Sequence, residues 1–304
     1  MSNNHKDIFD RKACKLPRDT YEALEKAGIK DIENFNLKLN KFGYFDDKLQ
    51  NFSLVKNDKQ QTHTVKSDAP DDLINNIQNR QQKVVESLCG NDKYFSEKLT
   101  TDWRLTTGLG QESVYDTGMV LHHVYGIPYI PSSSIKGCVR SYMIQTYFSE
   151  GLEEQDLKHA EGKAIECEEF SKWFGCPESI DIYGNLYHSA LNGKVYQGEL
   201  IFFDAFPTIN PKIVPDIMNN HYPDYYSGNQ PPADWQQPRP INFLTIENTP
   251  FCFYIGIKYK NENSISSDTK IDNKTPMGLL KEALKNQGIG AKTAIGYGYF
   301  NNND

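Results

Sequence analysis

The chain has 304 residues, 38% hydrophobic and 12% aromatic, with Tyr and Phe far outnumbering Trp; this excludes a disordered chain and suits a β-rich globular protein of one elaborated domain or two ordinary ones. A formal net charge of −7 argues against a free-standing, non-specific nucleic-acid binder, which is usually basic, yet allows a local basic groove or a subunit that meets RNA inside an assembly with basic partners. The start M-S-N-N-H-K-D carries no signal-peptide pattern, no apolar run reaches membrane-spanning length, and the six cysteines form no C-x-x-C pair, so the expectation is a cytoplasmic protein with reduced thiols and no membrane partner.

Residues 1–95 read as a polar, partly helical N-terminal extension. A short helix is expected from Thr20 to Gly28. A longer one starts near Pro70, carries Leu73, Ile77, Val84, Val85 and Leu88, and stops at Gly90. Residues 46–69 between them lack apolar periodicity and read as a loop. At 101–108, Trp103, Leu105 and Thr107 alternate with Arg104 and Thr106, which predicts a half-buried strand. Residues 119–125 read as a further extended segment. His122 and His123 within it would point to opposite faces of a strand and so would not share a metal.

The stretch at 126–140, G-I-P-Y-I-P-S-S-S-I-K-G-C-V-R, organises the chain. Pro128 and Pro131 favour extended backbone before them, and Ser132, Ser133 and Ser134 are suited to capping a helix. From Ile135, apolar residues recur at Val139, Tyr142, Met143 and Tyr147 with helical spacing. Lys136 and Arg140 share a face near the positive end of the helix dipole, where cations are unfavourable. Gly137 costs a helix interior about 1 kcal/mol relative to alanine. A bound phosphate reconciles all three, because free amides and the dipole attract an anion, the two cations add charge and the glycine permits close approach. The competing reading is a serine-capped helix with solvated basic residues.

Residues 151–193 read as an acidic, irregular insertion, with Lys172-Trp173-Phe174-Gly175 as loop packing and Cys176-Pro177 as a turn. Residues 195–206 predict a strand ending at Asp204, a turn aspartate or a catalytic one. A proline-rich insertion follows at 207–240, a length usually functional or disordered; its His221 and Tyr222 are candidates for contact with unpaired bases, against ordinary packing. Two strands are expected at 241–246 and 251–259, the second placing Phe251, Phe253, Ile255 and Ile257 on one face. Thr275-Pro276 starts a helix lined by Leu279, Leu280, Ala283 and Leu284, and Gly288 takes the C-cap position. The order strand, helix, strand, then strand, helix, strand predicts an α+β, ferredoxin-like fold with helices on one face of the sheet.

The chain closes on G-I-G-A-K-T-A-I-G-Y-G-Y-F at 288–300. Gly288, Gly290, Lys292 and Thr293 suggest backbone approaching a phosphate, with Lys292 as point charge; the alternative is a tight turn before an edge strand. The Walker pattern fails because Ala291 precedes the lysine, and the dinucleotide fingerprint fails at Thr293. Ser133 and Lys136 match S-x-x-K, and Lys292-Thr293-Ala294 approximates the K-T-G of penicillin-recognising serine enzymes, but Ser267-Asp268-Thr269 is a poor equivalent of their S-D-N. His188 and His221 stand alone, so no metal site or cofactor is expected.

These motifs resemble a known family. I-P-Y-I-P-S-S-S-I-K-G-C-V-R resembles the proline–serine–lysine–glycine motif of the RAMP superfamily of CRISPR proteins, and the 288–300 segment resembles their C-terminal glycine-rich loop. F-F-D-A-F-P, D-I-M-N-N-H-Y-P-D-Y-Y and P-I-N-F-L narrow the likeness to the sixth-subunit family of type III-B (Cmr) effector complexes. The likeness covers about residues 101–300, within a RAMP domain drawn at 96–304 with insertions near 151–193 and 207–240, and the extension carries none of it. It implies an RNA-recognition-motif-like fold and a non-catalytic structural subunit near the 3′ end of the guide RNA (crRNA). The implied partners are guide RNA, target RNA and other Cmr subunits, especially the backbone RAMP subunits that cut target RNA. By position, Ser133, Ser134, Lys136, Gly288, Gly290 and Lys292 would contact the guide backbone, with Gly137, Arg140 and Thr293 on the same two elements. The 216–226 segment would lie against the guide–target duplex or a neighbouring subunit. Ser132 stands where the family often has glycine, and Asp116 where an acidic residue is expected. The alternative is a metal-independent ribonuclease of the RAMP guide-processing type, with His122 or His123 as general base.

Overall fold

The computed structural model describes residues 19, 22, 34–41, 55–56, 61–62, 69–90, 93–113, 115–152, 157–220, 222, 225, 227–233, 235, 238–258, 265 and 270–301. In chain order the first elements are α1 (Phe35–Lys41), β1 (Val55–Lys56), β2 (Gln61–Thr62), α2 (Asp71–Cys89), β3 (Tyr94–Thr101) and β4 (Arg104–Leu105). Next come α3 (Ser132–Tyr147), α4 (Leu157–Ile165), α5 (Glu168–Phe174), β5 (Gly175–Cys176), β6 (Ser179–Ile182), β7 (Asn185–His188), β8 (Tyr196–Gln197), β9 (Leu200–Phe202) and β10 (Phe206–Pro207). The last are β11 (Lys212–Asn220), β12 (Arg239–Glu247), β13 (Pro250–Ile257), α6 (Pro276–Asn286), a 3-10 turn at Thr293–Ile295 and β14 (Phe300–Asn301). Two compact units result: Met1–Leu73, Arg104–Pro128 and Ile209–Thr249 form one, and Ile74–Trp103, Tyr129–Thr208 and Pro250–Asp304 the other.

The second unit is built on a sheet in the order β10-β13-β3-β14, with β9 also on β13. Every pairing is antiparallel. The central strand β13 shows why this sheet lies inside: Phe251, Phe253, Ile255 and Ile257 are all buried. Phe253 meets Phe300 of β14 edge to face, with ring centroids 5.5 Å apart. Helices α3 and α6 pack on each other, α6 on β3 and β14, and α3 on β9. Opposite strand positions point to the other face, and there α2 approaches β13 so closely that a Cβ on Gly256 would stand 2.2 Å from the Cys89 sulfur. Asp71 and Asp72 in its first turn suit the positive end of the helix dipole. Its buried stripe is Ile74, Ile77, Gln81, Val85 and Cys89, whereas Val84 and Leu88, expected to be buried, are 42% and 62% exposed. The Gln81 amide, not a further aliphatic residue, holds that stripe by donating to the Asp204 carbonyl.

The first unit carries a three-stranded sheet in the order β11-β12-β4. Arg104 on β4 reaches Asp216 on β11 and Glu247 on β12, and Lys212 also pairs with Glu247. Helix α1 buries Phe35 and Leu39. Asn34 caps it by accepting the Leu37 N–H at 3.1 Å and donates to the Val124 carbonyl at 3.0 Å.

Several expectations change. The strand read at 101–108 breaks at Asp102-Trp103, because β3 and β4 belong to different sheets; Leu105, Thr106 and Thr107 are all buried, so the alternation fails. Residues 119–125 are no strand: Leu121 makes a single bridge with Pro128 and the chain turns at His123–Tyr125. Residues 151–193 are not irregular but contain α4, α5 and the β6–β7 hairpin, with Phe170 and Trp173 fully buried. The strand read at 195–206 is interrupted at Glu199, a fully buried carboxylate that accepts from the Tyr196 hydroxyl and from the Ile265 amide at 2.7 Å. Within 207–240, β11 is regular, and within 46–69 the short strands β1 and β2 pair. Of the helix read at 20–28, only Glu22 is described, and it is helical. His221 and Ser267-Asp268-Thr269 lie outside the described residues.

Candidate nucleic-acid interface

Helix α3 begins as expected, but not by serine capping. Pro131 occupies the N-cap in extended geometry with no side-chain bond. The Ser132 N–H donates to Oδ1 of Asp204 at 2.7 Å, so an internal carboxylate serves the first amide and complements the dipole. The Ser134 and Ile135 amides return to the Pro131 carbonyl at 2.9 and 3.1 Å. Among the described residues the Ser133 N–H has no acceptor. Ser133, Ser134 and Gly137 are exposed, and nothing lies within 4 Å of where a Gly137 Cβ would stand. The result is an open helix face of hydroxyls and bare backbone.

Lys136 and Arg140 point elsewhere. The Lys136 ammonium donates to the Phe174 carbonyl at 2.9 Å, a favourable place for a cation at the C-terminal end of α5. Burial, and then the neighbouring Arg140, pull its pKa below the usual lysine value. Arg140 donates to Glu161 at 2.7 Å and lies over the Phe170 ring, 5.6 Å from its centroid. Neither the phosphate-facing pair expected from the sequence nor the solvated pair of the competing reading is seen: one cation is engaged by a carbonyl, the other by a carboxylate. In the S-x-x-K match, the Lys136 amine is bonded to the Phe174 carbonyl, and among the described residues no hydrogen bond joins it to Ser133.

The second motif follows α6. Thr275 caps that helix by accepting the Gly278 N–H at 3.2 Å, as its sequence predicts. Gly288, at φ +71°, returns its N–H to the Ala283 carbonyl at 3.1 Å. The loop then closes on itself. Ile289 donates to the Gly298 carbonyl at 2.9 Å, and Ile295 and Tyr297 both donate to the Lys292 carbonyl. A Cβ on Gly298 would stand 1.9 Å from the Ile289 oxygen, so only glycine fits. Gly290 at φ +96° and Lys292 at φ +62° place both flanks of Ala291 in the left-handed region. Among the described residues the Gly290 and Ala291 amides have no acceptor. Consecutive amides without an acceptor beside a lysine are the kind of backbone arrangement that can hold an anion. Gly290 is exposed; Lys292 and Thr293 are half-buried.

The two motifs meet. The Cys138 thiol donates to the Gly288 carbonyl at 3.4 Å. Farther along, Asn286 donates to the Tyr142 hydroxyl at 2.9 Å and Lys274 to the Tyr147 hydroxyl at 3.2 Å. Helices α3 and α6 therefore run antiparallel, and the start of α3 lies at the same end as the glycine-rich loop. Burial pushes the Cys138 thiol up to about 11, which keeps it a neutral donor. Ser133, Ser134, Gly137, Gly288, Gly290, Lys292 and Thr293 are thus brought to one end of the helix pair, while the Lys136 and Arg140 head groups are not.

The histidines do not behave as strand residues. The rings of His122 and His123 stack, centroids 5.1 Å apart, and His122 also stacks on Tyr125 at 4.4 Å. Nδ1 of His122 accepts from the Val124 and Tyr125 amides, each at 3.3 Å. These contacts engage Nδ1 as an acceptor. Among the described residues no cluster of His, Cys, Asp and Glu could hold a metal ion, and no helix is long and apolar enough to cross a membrane. Tyr222 is half-buried and Asp116 exposed. Sequence reasoning missed two residues here: Asp204 as the helix cap, signalled only by an aspartate closing a strand, and Trp103, which packs on Tyr297 of the loop with centroids 4.9 Å apart.

Comparison with known proteins bears on the same segments. The family model of the RAMP superfamily matches residues 98–301. The chain is 35% identical over 237 residues to the CRISPR system Cmr subunit Cmr6 of Pyrococcus furiosus, covering 66% of each chain. It is 29% identical over 198 residues to the CRISPR system CMR subunit Cmr6 of Saccharolobus solfataricus, covering 64% of this chain and 52% of that one. It therefore spans just under two thirds of the first relative and about half of the second. Among solved structures, a chain in the cryo-EM structure of the type III-B Cmr-beta bound to cognate target RNA matches with a TM-score of 0.46 and 25% identity, over 78% of this chain and 66% of that one. The crystal structure of Cmr6 from Pyrococcus furiosus matches with a TM-score of 0.37 and 31% identity, over 68% and 97% respectively. With the family matched across both motifs and the sheet that carries them, the chain belongs to the RAMP superfamily.

Proposed function

We propose that this protein is a non-catalytic, guide-RNA-binding structural subunit of a cytoplasmic type III-B Cmr effector complex, placed near the 3′ end of the guide. The contact between Cys138 and Gly288 carries this reading, because it sets the open start of α3 beside the glycine-rich loop, whose Gly290 and Ala291 amides have no acceptor among the described residues. Amides, hydroxyls and one lysine hold phosphates without reading bases, which suits a guide whose sequence varies. The relatives named Cmr6 support this choice of assembly. Its partners on this reading are guide RNA, target RNA and other Cmr subunits, especially the backbone ones, with cutting residues on those neighbours. His221 and Tyr222, in the 216–226 segment, are a second RNA or subunit contact.

The sheet order β10-β13-β3-β14, with α3 after β3 and α6 after β13, supports reading this unit as a ferredoxin-like fold of the RNA-recognition type. The match at 98–301 supports a RAMP domain over 96–304, with residues 1–95 as an extension to it.

The test is to tag the chain in its native cell, purify it gently and sequence the RNA that accompanies it. Short RNAs sharing a repeat-derived end, arriving with several other proteins, are expected. An RNA-free monomer from cells that express the rest of a Cmr complex would overturn the proposal.

A further inference from the structure

We propose that the indole of Trp103 is a stacking platform for one unpaired RNA base, immediately beside the phosphate-binding loop. This rests on the RNA-binding reading above and extends it from the backbone of the nucleic acid to a base. Trp103 follows the last residue pair of β3 and β14, where the sheet ends and the chain bends. It is 45% exposed. Isolated exposed apolar residues are common and need no explanation, so exposure alone carries nothing. What distinguishes this ring is how it is held and what it adjoins.

The ring is held by a packed neighbour and a tethered backbone. Tyr297, itself buried, packs against it at 4.9 Å with the planes tilted by 45°. The preceding amide, of Asp102, donates to the Tyr299 carbonyl at 2.8 Å. A platform whose orientation is set in advance loses little freedom when a base settles on it. Its neighbour is the glycine-rich loop: the Tyr297 amide donates to the carbonyl of Lys292, so the residue supporting the indole also closes the loop that carries the Gly290 and Ala291 amides. The loop tip beside it is open, with Ile295 63% exposed and nothing within 4 Å of where a Gly296 Cβ would stand. A nucleotide presents an anionic phosphate and a flat apolar base as separate ends. Here two amides without an acceptor and an aromatic ring are linked through one residue, Tyr297. Stacking tolerates every base because every base has a π-face, so the platform is compatible with a guide of variable sequence.

The experiment titrates the full chain with a short single-stranded oligoribonucleotide of mixed sequence, and with an abasic RNA of equal length, over a series of salt concentrations. Trp103→Ala is expected to weaken binding of the ordinary RNA by about 5- to 150-fold, with the salt dependence unchanged because no phosphate contact is lost. Trp103→Phe should restore most of the affinity, and abasic RNA should bind the wild type and Trp103→Ala equally. Lys292→Ala should instead flatten the salt dependence. Thermal melts of each variant separate lost binding from lost folding. If Trp103→Ala binds ordinary RNA within twofold of the wild type while Lys292→Ala is weakened, the platform is wrong and the phosphate site stands. If Trp103→Ala keeps its RNA affinity but no longer co-purifies with neighbouring subunits, the ring contacts protein and the inference falls. If the wild-type chain binds neither RNA at low salt, the RNA-binding reading fails and takes this inference with it.

Discussion

Cys138 and Gly288 are 150 residues apart in sequence, yet the thiol of one donates to the carbonyl of the other across 3.4 Å. This single bond aligns the second turn of α3 with the exit of α6 and makes neighbours of two backbone-rich motifs. It also has a pH signature. Burial raises the Cys138 thiol from its ordinary value near 9 to about 11. Between those values the folded protein keeps a proton that the unfolded chain has lost, so the stabilisation is complete below pH 9 and declines as pH rises toward 11. Tyr196, pushed up to about 12 by burial and then by Glu199, acts in the same direction at higher pH. Chemical denaturation should give a lower midpoint at pH 10 than at pH 8, and Cys138→Ala should remove part of the difference. An identical fall in the variant would contradict the assignment.

Gly137 separates a structural role from a functional one. It lies inside α3 with empty space over its Cα, so Gly137→Ala should stabilise the protein by up to about 1 kcal/mol. If RNA backbone approaches this face, the added methyl should reduce RNA affinity even as the melting temperature rises. A variant that gains stability and retains full affinity would remove Gly137 from the interface.

Asp204 should behave as a helix cap supplied from across the fold. Asp204→Ala strips the Ser132 amide of its acceptor and should cost about 1 kcal/mol of stability, whereas Asp204→Asn keeps an acceptor oxygen and should recover most of it. Equal denaturation midpoints for Ala and wild type would show that water serves this amide just as well.

The ion cluster of the three-stranded sheet should weaken in acid. The hydrogen bond from Lys212 holds the Glu247 carboxyl below its ordinary value, opposed by burial and assisted by Arg104. A depressed carboxyl contributes stability that is present above about 4.5, its unfolded value, and is lost as pH falls through its lower folded value. Lys212 is largely exposed, so Lys212→Ala should cost under about 1 kcal/mol. Arg104→Ala should cost more, because it removes a largely shielded guanidinium that Asp216 and Glu247 share. Denaturation of both variants at pH 7 and pH 4 measures the order, and a larger loss from Lys212→Ala would reverse it.

What the sequence revealed follows from how local each signal is. Helix α6 was legible because its cap Thr275, its apolar stripe and Gly288 all lie within one short stretch. Strand β13 was legible because Phe251, Phe253, Ile255 and Ile257 alternate. The two glycine-bearing motifs were legible as motifs, but their meeting was not, since a Cys138–Gly288 contact has no trace in either stretch. The same distance hid Asp204, 72 positions from the amide it caps. It also hid the partners of Lys136 and Arg140, which come from α5 and α4. Trp103 was read as part of one strand over 101–108, when the sheet in fact ends beside it. Tyr94–Thr101 escaped notice as a strand because its polar Ser96, Glu97 and Lys98 interrupt any apolar pattern.

The most direct test of a single shared RNA-backbone site is amide hydrogen exchange on the full chain, with and without single-stranded RNA. Peptides covering residues 132–138 and 288–293 should slow together when RNA is added, with both effects vanishing together at high salt. Slowing confined to one of the two peptides, or protection elsewhere with both unchanged, would contradict a site assembled from both motifs.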